Sequence, residues 1–361
     1  MNHRADRRFW TGLFCVALLA LAASGCVTRN MAAKMISTAP NREFTPEQPE
    51  QLTKFWNYFK DGQNSPFVYL KVKTGPPEAT LSLVELPAGN YHVKFISGIR
   101  TNWEDKKFLT MKFRPETNSA FKPLKEPATI VILHGYMMYK ETMAPWASAL
   151  AQAGYRVVLV DLRGHGQSTG DQATYGKYET KDLSQMLDYL KALRLCDDKV
   201  GVLGLSYGAT IALEWAAADP RVQAVVAIAP YNDPEDAAMR FAKELKIPVS
   251  TNALRGALKI AAKRLDLNWA DYSGDAAVKK LKQPVLFIGG GHDRICLPAD
   301  LEKMKKDAPP GSKIITVPEV NHFVLGFLLH LLSDPVTAWY GEHLEGQMPE
   351  TAGHIAMHER N

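Results

Sequence analysis

From residue 126 onward the chain alternates two kinds of run, and this rhythm limits its fold more than any other feature. "ATIVILHG", "YRVVLVDLRG", "KVGVLGLS", "VQAVVAIAP", "PVLFIGGGHD" and "KIITVPEVNHF" are strand-like, and helical stretches separate them. Several of these runs are nearly unbroken Val, Ile and Leu. Strands buried on both faces of a parallel sheet have that composition, whereas half-exposed antiparallel strands alternate apolar with polar. Strand and helix in strict alternation predict a doubly wound α/β fold. Its 361 residues suffice for one such domain plus an appendage, or for two domains. The polar, Gly-rich residues follow the strands at their C-terminal ends, where ligands bind in open α/β sheets.

Upstream the pattern differs. "FVYLKVK", "ATLSLVEL", "YHVKFISG" and "FLTMKFRP" alternate at period two between turn residues, so 49–125 reads as a β-rich extension. It is either an N-terminal subdomain or the antiparallel opening of the larger sheet. "PEQLTKFWNYFK" places Leu52, Phe55, Trp56 and Phe59 at helical spacing. Within the α/β region of 126–345, the insert 231–283 is longer than one crossover helix requires. "ALRGALKIAAKRL" puts Leu254, Leu258, Ala261 and Leu265 on one face, consistent with a helical cap or with ordinary packing helices.

The first residues are built for export. Arg4, Arg7 and Arg8 precede the uncharged "TGLFCVALLALAA", and small residues then lead to Cys26. A charged start, a short apolar run and a small-residue site mark a secretion signal. Ala23-Ser24-Gly25-Cys26 resembles the lipobox of bacterial lipoproteins, with alanine in place of the more usual leucine. That resemblance implies cleavage before Cys26, diacylation of its sulfur, and a lipid-anchored protein of the cell envelope. Residues 1–26 are then a signal segment, 27–48 a polar, Pro-containing tether, and 346–361 a tail. Val27 follows the cysteine, which favours the outer membrane on the periplasmic face. Cys196 and Cys296 remain for the mature domain, either as a pair or as two unlinked thiols. The net charge of +5 comes without a run of Lys and Arg interleaved with aromatics, so no nucleic-acid face is expected. The basic residues look dispersed.

Gly204-Leu205-Ser206-Tyr207-Gly208 fits G-x-S-x-G, between an apolar strand and an Ala-rich helical run. A serine on such a turn is either a helix cap or a nucleophile. A hydroxyl is a weak nucleophile at neutral pH and requires a base, which in turn requires an orienting acid. Downstream, Asp293 ends one apolar strand and His322 the next. Asp233 and Asp236, after the preceding strand, compete with Asp293 for the acid's role. The backbone N–H of Tyr207 is one expected oxyanion donor. The other comes from "VILHGYMMYKE", with Tyr136 preferred over Met137. Met137, Met138, Tyr139 and Trp146 either line an acyl pocket or belong to the core.

"LHGYMMYKETMAPWASALAQAGYRVVLVDLRGHGQSTG", "GLSYG", Asp293 and His322 together resemble the α/β-hydrolase superfamily, closest to its esterase, lysophospholipase and serine-aminopeptidase-like members. The resemblance covers Pro127 to Leu332. It implies the α/β-hydrolase fold, a Ser206–His322–Asp293 triad, no metal, no organic cofactor, and a small-molecule or lipid-like acyl substrate. His134 and His165 match loop-shaping elements of that superfamily. An esterase is the first expectation. An aminopeptidase, holding a free amine with Glu235 and Asp236, is the second, and a non-catalytic binding lipoprotein is the third.

Overall fold

The computed structural model describes residues 25–38, 53–57, 66–101, 107–115, 122–123 and 128–345. In chain order the strands are β1 (Val68–Thr74), β2 (Ala79–Leu86), β3 (Gly89–Asn90), β4 (Val93–Thr101), β5 (Lys107–Pro115), β6 (Lys122–Pro123), β7 (Thr129–Leu133), β8 (Arg156–Val160), β9 (Val200–Leu205), β10 (Val222–Ile228), β11 (Val285–Gly290) and β12 (Lys313–Val317). The helices are α1 (Gly25–Ser37), α2 (Ala144–Gln152), α3 (Glu179–Ala192), α4 (Tyr207–Ala218), α5 (Pro234–Glu244), α6 (Thr251–Leu265), α7 (Gly274–Val278), α8 (Pro298–Asp307), α9 (His322–Leu325) and α10 (Leu329–Tyr340).

Eight strands form the main sheet in the order β1-β2-β8-β7-β9-β10-β11-β12. From β8 to β12 every neighbouring pair is parallel, and β2 alone runs against both of its neighbours. Every residue of β7, β9 and β11 is buried, as near-continuous aliphatic runs require. The chain leaves β7 for β8 on one side and returns to β9 on the other. This reversal opens a crevice beyond the C-terminal ends of β7 and β9.

The β-rich extension divides between two roles. β1 and β2 open the main sheet, with β2 paired to β8 from Leu83↔Val160 to Leu86↔Val157. β4 and β5 instead make a separate two-stranded ribbon. Residues 53–57 are helical, and Phe55 and Trp56 pack with Phe67. Leu52 and Phe59 lie outside the described residues, as do signal residues 1–24, residues 39–48 and the tail 346–361.

One feature differs from the sequence reading. The stretch expected to begin a tether is helical from Gly25 to Ser37 and packs on α6. Ala33 is fully buried there with Ala257, Leu258 and Ala261, and Ile36 lies against the same cluster. Small residues let the two helices approach closely: a Cβ on Gly256 would sit 3.0 Å from Arg29 Cδ. The insert 231–283 carries α5, α6 and α7, and α6 with Trp269 and Ala242 forms an apolar cluster separate from the main core. Cys196 and Cys296 are free thiols, one half-buried and one buried. Among the described residues no helix is long and apolar enough to cross a membrane.

Candidate active site

Ser206 stands between β9 and α4 with φ +53° and ψ −111°. A non-glycine residue at positive φ is strained, and the surrounding contacts must hold it there. Its N–H donates to Ile228 O at 2.8 Å, and its carbonyl accepts from Ala209 N at 2.9 Å. The flanking glycines make this turn possible. A Cβ on Gly204 would lie 2.2 Å from Gly208 O, and one on Gly208 would lie 2.5 Å from both His134 O and Leu133 O. All of these obstacles are backbone, which cannot swing aside.

The side chain of Ser206 makes no capping bond to its helix. Ser206 Oγ instead lies 2.9 Å from His322 Nε2. His322 opens α9, where Asn321 accepts from Phe323 N at 3.1 Å and fixes the turn. On the other edge of the ring, His322 Nδ1 is 2.8 Å from Asp293 Oδ2. Asp293 Oδ1 accepts the N–H groups of Ile295 and Cys296, each at 2.8 Å. One carboxylate oxygen thus serves the loop and the other serves the imidazole. Asp233, the competing acid, caps α5 by accepting from Asp236 N. Glu235 and Asp236 are exposed on the first turn of α5.

Asp293, Cys296 and His322 bring possible ligand atoms within 4.8 Å of one another. The donor chemistry fits a metal poorly. Both Asp293 oxygens already accept hydrogen bonds, and His322 Nε2 faces Ser206. Burial, with Asp293 and Asp300 nearby, pushes the Cys296 thiol well above its ordinary range, so it is held as S–H rather than thiolate.

Among the described residues, neither the Tyr207 nor the Tyr136 backbone N–H has a protein acceptor. Tyr207 N begins α4, where the helix dipole favours negative charge. Tyr136 lies in the turn closed by Met138 N→Gly135 O at 3.1 Å. Met137, the alternative donor, sits at φ +60°. Trp146 is core: buried, it donates Nε1–H to Gly326 O at 2.7 Å. Tyr139 is also buried.

Several supporting residues were not singled out from the sequence. Lys140, just past the Tyr136 turn, is buried and clamps onto the buried Asp161 after β8. Its N–H reaches Oδ1 and its Nζ reaches Oδ2, both at 2.7 Å, and Glu141 lies 2.8 Å from the same Nζ. Burial opposes the ammonium charge, but Asp161 and Glu141 outweigh it and hold its pKa above the ordinary value. Breaking such a pair strands a buried charge, at about 3–5 kcal/mol. Glu179, fully buried at the start of α3, accepts from Thr174 N, Thr174 Oγ1, Gly176 N and Tyr207 OH. It thereby fixes the ring of Tyr207, the residue after Ser206. "YKE", "DLRG" and "KYET" carried Lys140, Asp161 and Glu179 in plain view, but the pairs Lys140–Asp161 and Glu179–Tyr207 are long-range.

His134 and His165 are fully buried, 5.1 Å apart between ring centres. His134 Nε2 accepts from Leu162 N at 3.1 Å, which ties the β7 loop to the β8 loop. Burial, with His165 adding to it, lowers the His134 pKa to about 3. A base depressed in the fold contributes nothing above its unfolded pKa near 6.5. Below that pH the unfolded chain takes up a proton that the fold refuses, and stability falls until about pH 3. Buried Glu214, pushed well above its usual range by burial, contributes with the opposite sign, so the test is a difference between variants. Between pH 7.5 and 5.0 the native chain should lose about 2 kcal/mol relative to His134→Asn, measured by urea unfolding. Parallel curves for the two proteins would show that His134 is charged in the fold.

A family model described as serine aminopeptidase, S33 matches residues 125–270. An esterase of Pyrococcus furiosus superposes with a TM-score of 0.57 at 20% identity, over 87% of this chain and 99% of its own. The chain has the α/β-hydrolase fold. A Bacillus subtilis (strain 168) protein of uncharacterised function is 30% identical over 52% of this chain and 63% of its own length. An acyltransferase of Aspergillus calidoustus is 28% identical over 37% and 44%. The chain thus spans under two thirds of the length of either relative. The family match stops at residue 270, short of Asp293 and His322.

Proposed function

We propose that this α/β-hydrolase is a serine hydrolase that cleaves a carboxylic ester or thioester through an acyl-enzyme. The observation that carries this is the unbroken line Ser206 Oγ–His322 Nε2–Nδ1–Asp293 Oδ2, at 2.9 and 2.8 Å, ending on a strained elbow. His322 Nε2 takes the Ser206 proton as Oγ attacks the acyl carbon. The new oxyanion is met by the N–H groups of Tyr207 and Tyr136. The carbonyl re-forms, the C–O or C–S bond breaks, and the His322 proton passes to the leaving group. Water, deprotonated by the same nitrogen, then releases the acid and restores Ser206. Asp293 keeps the proton on Nδ1 and stabilises the charged ring. Cleavage of an aminoacyl amide through the same intermediate is the second reading, favoured by the description of the matching family. Acylation of Cys26 would hold the enzyme on the periplasmic face of the bacterial envelope.

A fluorophosphonate probe tests the reaction class. The native chain should label with one equivalent and Ser206→Ala should not. A folded native chain that stays unlabelled removes the catalytic reading. A panel of p-nitrophenyl esters beside aminoacyl amides then separates the two substrate classes.

A further inference from the structure

The basic residues that look dispersed along the sequence are gathered by the fold. Docking of α1 on α6 builds a two-helix surface that carries Arg29, Lys34, Arg255, Lys259, Lys263 and Arg264, all exposed, and no Asp or Glu on either helix. Arg255, Lys259 and Lys263 follow one another at four-residue spacing, which places them on one face of α6. Among the described residues none of the six is in an ion pair. Arg264 only donates to Asn30 Oδ1, at 3.3 Å, and the acid facing Lys259 is Glu235 on α5. Lys243 and Lys246, at the end of α5, are exposed on the neighbouring element. Met35, on α1, is 54% exposed beside this charge.

This surface lies between the lipobox cysteine and the crevice. Cys26 is on the first turn of α1, about 14 Å along the axis from Met35. At the other end of α1, Met35 O accepts from Tyr136 OH at 2.9 Å and Ile36 O accepts from Tyr175 OH at 3.0 Å. The ring of Tyr136 is 5.5 Å from that of Tyr207. One short helix therefore leads from the anchoring position to the oxyanion loop, with no flexible spacer between them.

We propose that the α1–α6 surface lies against an anionic phospholipid bilayer and holds the mouth of the crevice at the headgroups. The geometry rests on Cys26 as the anchor, proposed above. The charge complementarity stands without it. An acyl anchor and a basic patch are the two signals that together give stable membrane attachment. Each Lys or Arg near an anionic surface strengthens binding roughly fivefold, and added salt removes the effect.

Amine acetylation of the full chain, read lysine by lysine by mass spectrometry, tests the surface without relying on catalysis. The chain is mixed with vesicles of phosphatidylcholine, or of phosphatidylcholine with 30% phosphatidylglycerol. In the anionic vesicles Lys34 and Lys259 should react at least about fivefold more slowly than in the zwitterionic ones. Lys199 and Lys282 are exposed and precede β9 and β11, at the far end of the sheet, so they should not change. Shielding should vanish in 1 M salt and in Arg255→Gln/Lys263→Gln/Arg264→Gln, in which Lys34 and Lys259 remain as reporters. Equal acetylation in the two vesicle types, or shielding that survives the triple change, overturns the proposal. So does shielding by a single-stranded RNA oligonucleotide when vesicles give none. Cys26→Ser, followed by cell fractionation, reports on the anchor alone. Fluorophosphonate labelling of Ser206 reports on the chemistry alone, so failure of either is distinct from failure of the surface.

Discussion

His322→Ala is expected to lower kcat on a p-nitrophenyl ester by about 10⁶, close to the effect of removing Ser206 itself. The reason is that, among the described residues, the base hydrogen-bonded to Ser206 Oγ is His322 Nε2, at 2.9 Å. Without it the hydroxyl keeps its proton at neutral pH and the attack is that of a neutral alcohol. The rate left over would come from the oxyanion donors and from binding, which persist. KM should change little, because the imidazole acts on the nucleophile rather than holding the acyl group. Stability should fall only by about 1–3 kcal/mol, the cost of leaving the buried Asp293 Oδ2 without the N–H that it accepts. The cap of α9 belongs to Asn321, and buried Val324 and Leu325 anchor the helix, so the ring is not what folds this segment. Steady-state kinetics beside a urea unfolding curve checks both halves. A loss in kcat of less than tenfold would mean that another base serves Ser206.

What was legible in the chain was local. The aliphatic runs of β7, β9 and β11 declare strands buried on both faces, and "GLSYG" declares the elbow because strand, glycines and helix are contiguous. Asp293 and His322 were legible as polar residues just past apolar strands, and the fold brings both to Ser206 through the parallel order of β9, β10, β11 and β12. What was not legible depends on distant partners. Period-two alternation in 67–115 marks strands but does not say which edges pair, so it left open that β2 joins β8 while β4 and β5 stand apart. The segment "GCVTRNMAAKMIS" looked like tether because Ala33 and Ile36 are too few to signal an amphipathic helix alone. Their burial appears only once α6 supplies the other face. The same docking turns scattered arginines and lysines into one surface. Lys140 with Asp161, and Glu179 with Tyr207, likewise acquire meaning only as pairs.

Those pairs show how the strain at the crevice is maintained. Ser206 is held off its preferred backbone conformation by Ile228 O on one side and by Gly208 against the β7 end on the other. The Tyr136 turn is tied down behind by Lys140 on Asp161, and Tyr207 by Glu179. Preorganised donors act without rearranging when charge develops, which is where such sites gain most of their rate. The buried ionic and hydrogen-bonded groups around the crevice are therefore better understood as fixing its geometry than as adding stability, since a buried ion pair is weak support for a fold on its own.

Asp293→Asn should lower kcat by about 10⁴ with the structure intact, and the loop around Asp293 explains why. Oδ1 accepts two N–H groups, from Ile295 and Cys296. In asparagine the amide carbonyl must remain on those two donors, because turning the NH2 toward them would set donor against donor. The NH2 then faces His322 Nδ1. The ring can accept that hydrogen bond only by carrying its own proton on Nε2, so it presents N–H rather than a lone pair to Ser206 Oγ. The base is present, well placed and in the wrong tautomer. Asp293→Ala should behave differently: it leaves the Ile295 and Cys296 N–H groups buried without an acceptor, so stability should fall as well, by about 1–3 kcal/mol for each stranded group. Kinetics and unfolding measured on both variants separate the two effects. An asparagine variant retaining more than a tenth of native kcat would transfer the acid's role away from Asp293, with Asp233 the next carboxylate to test.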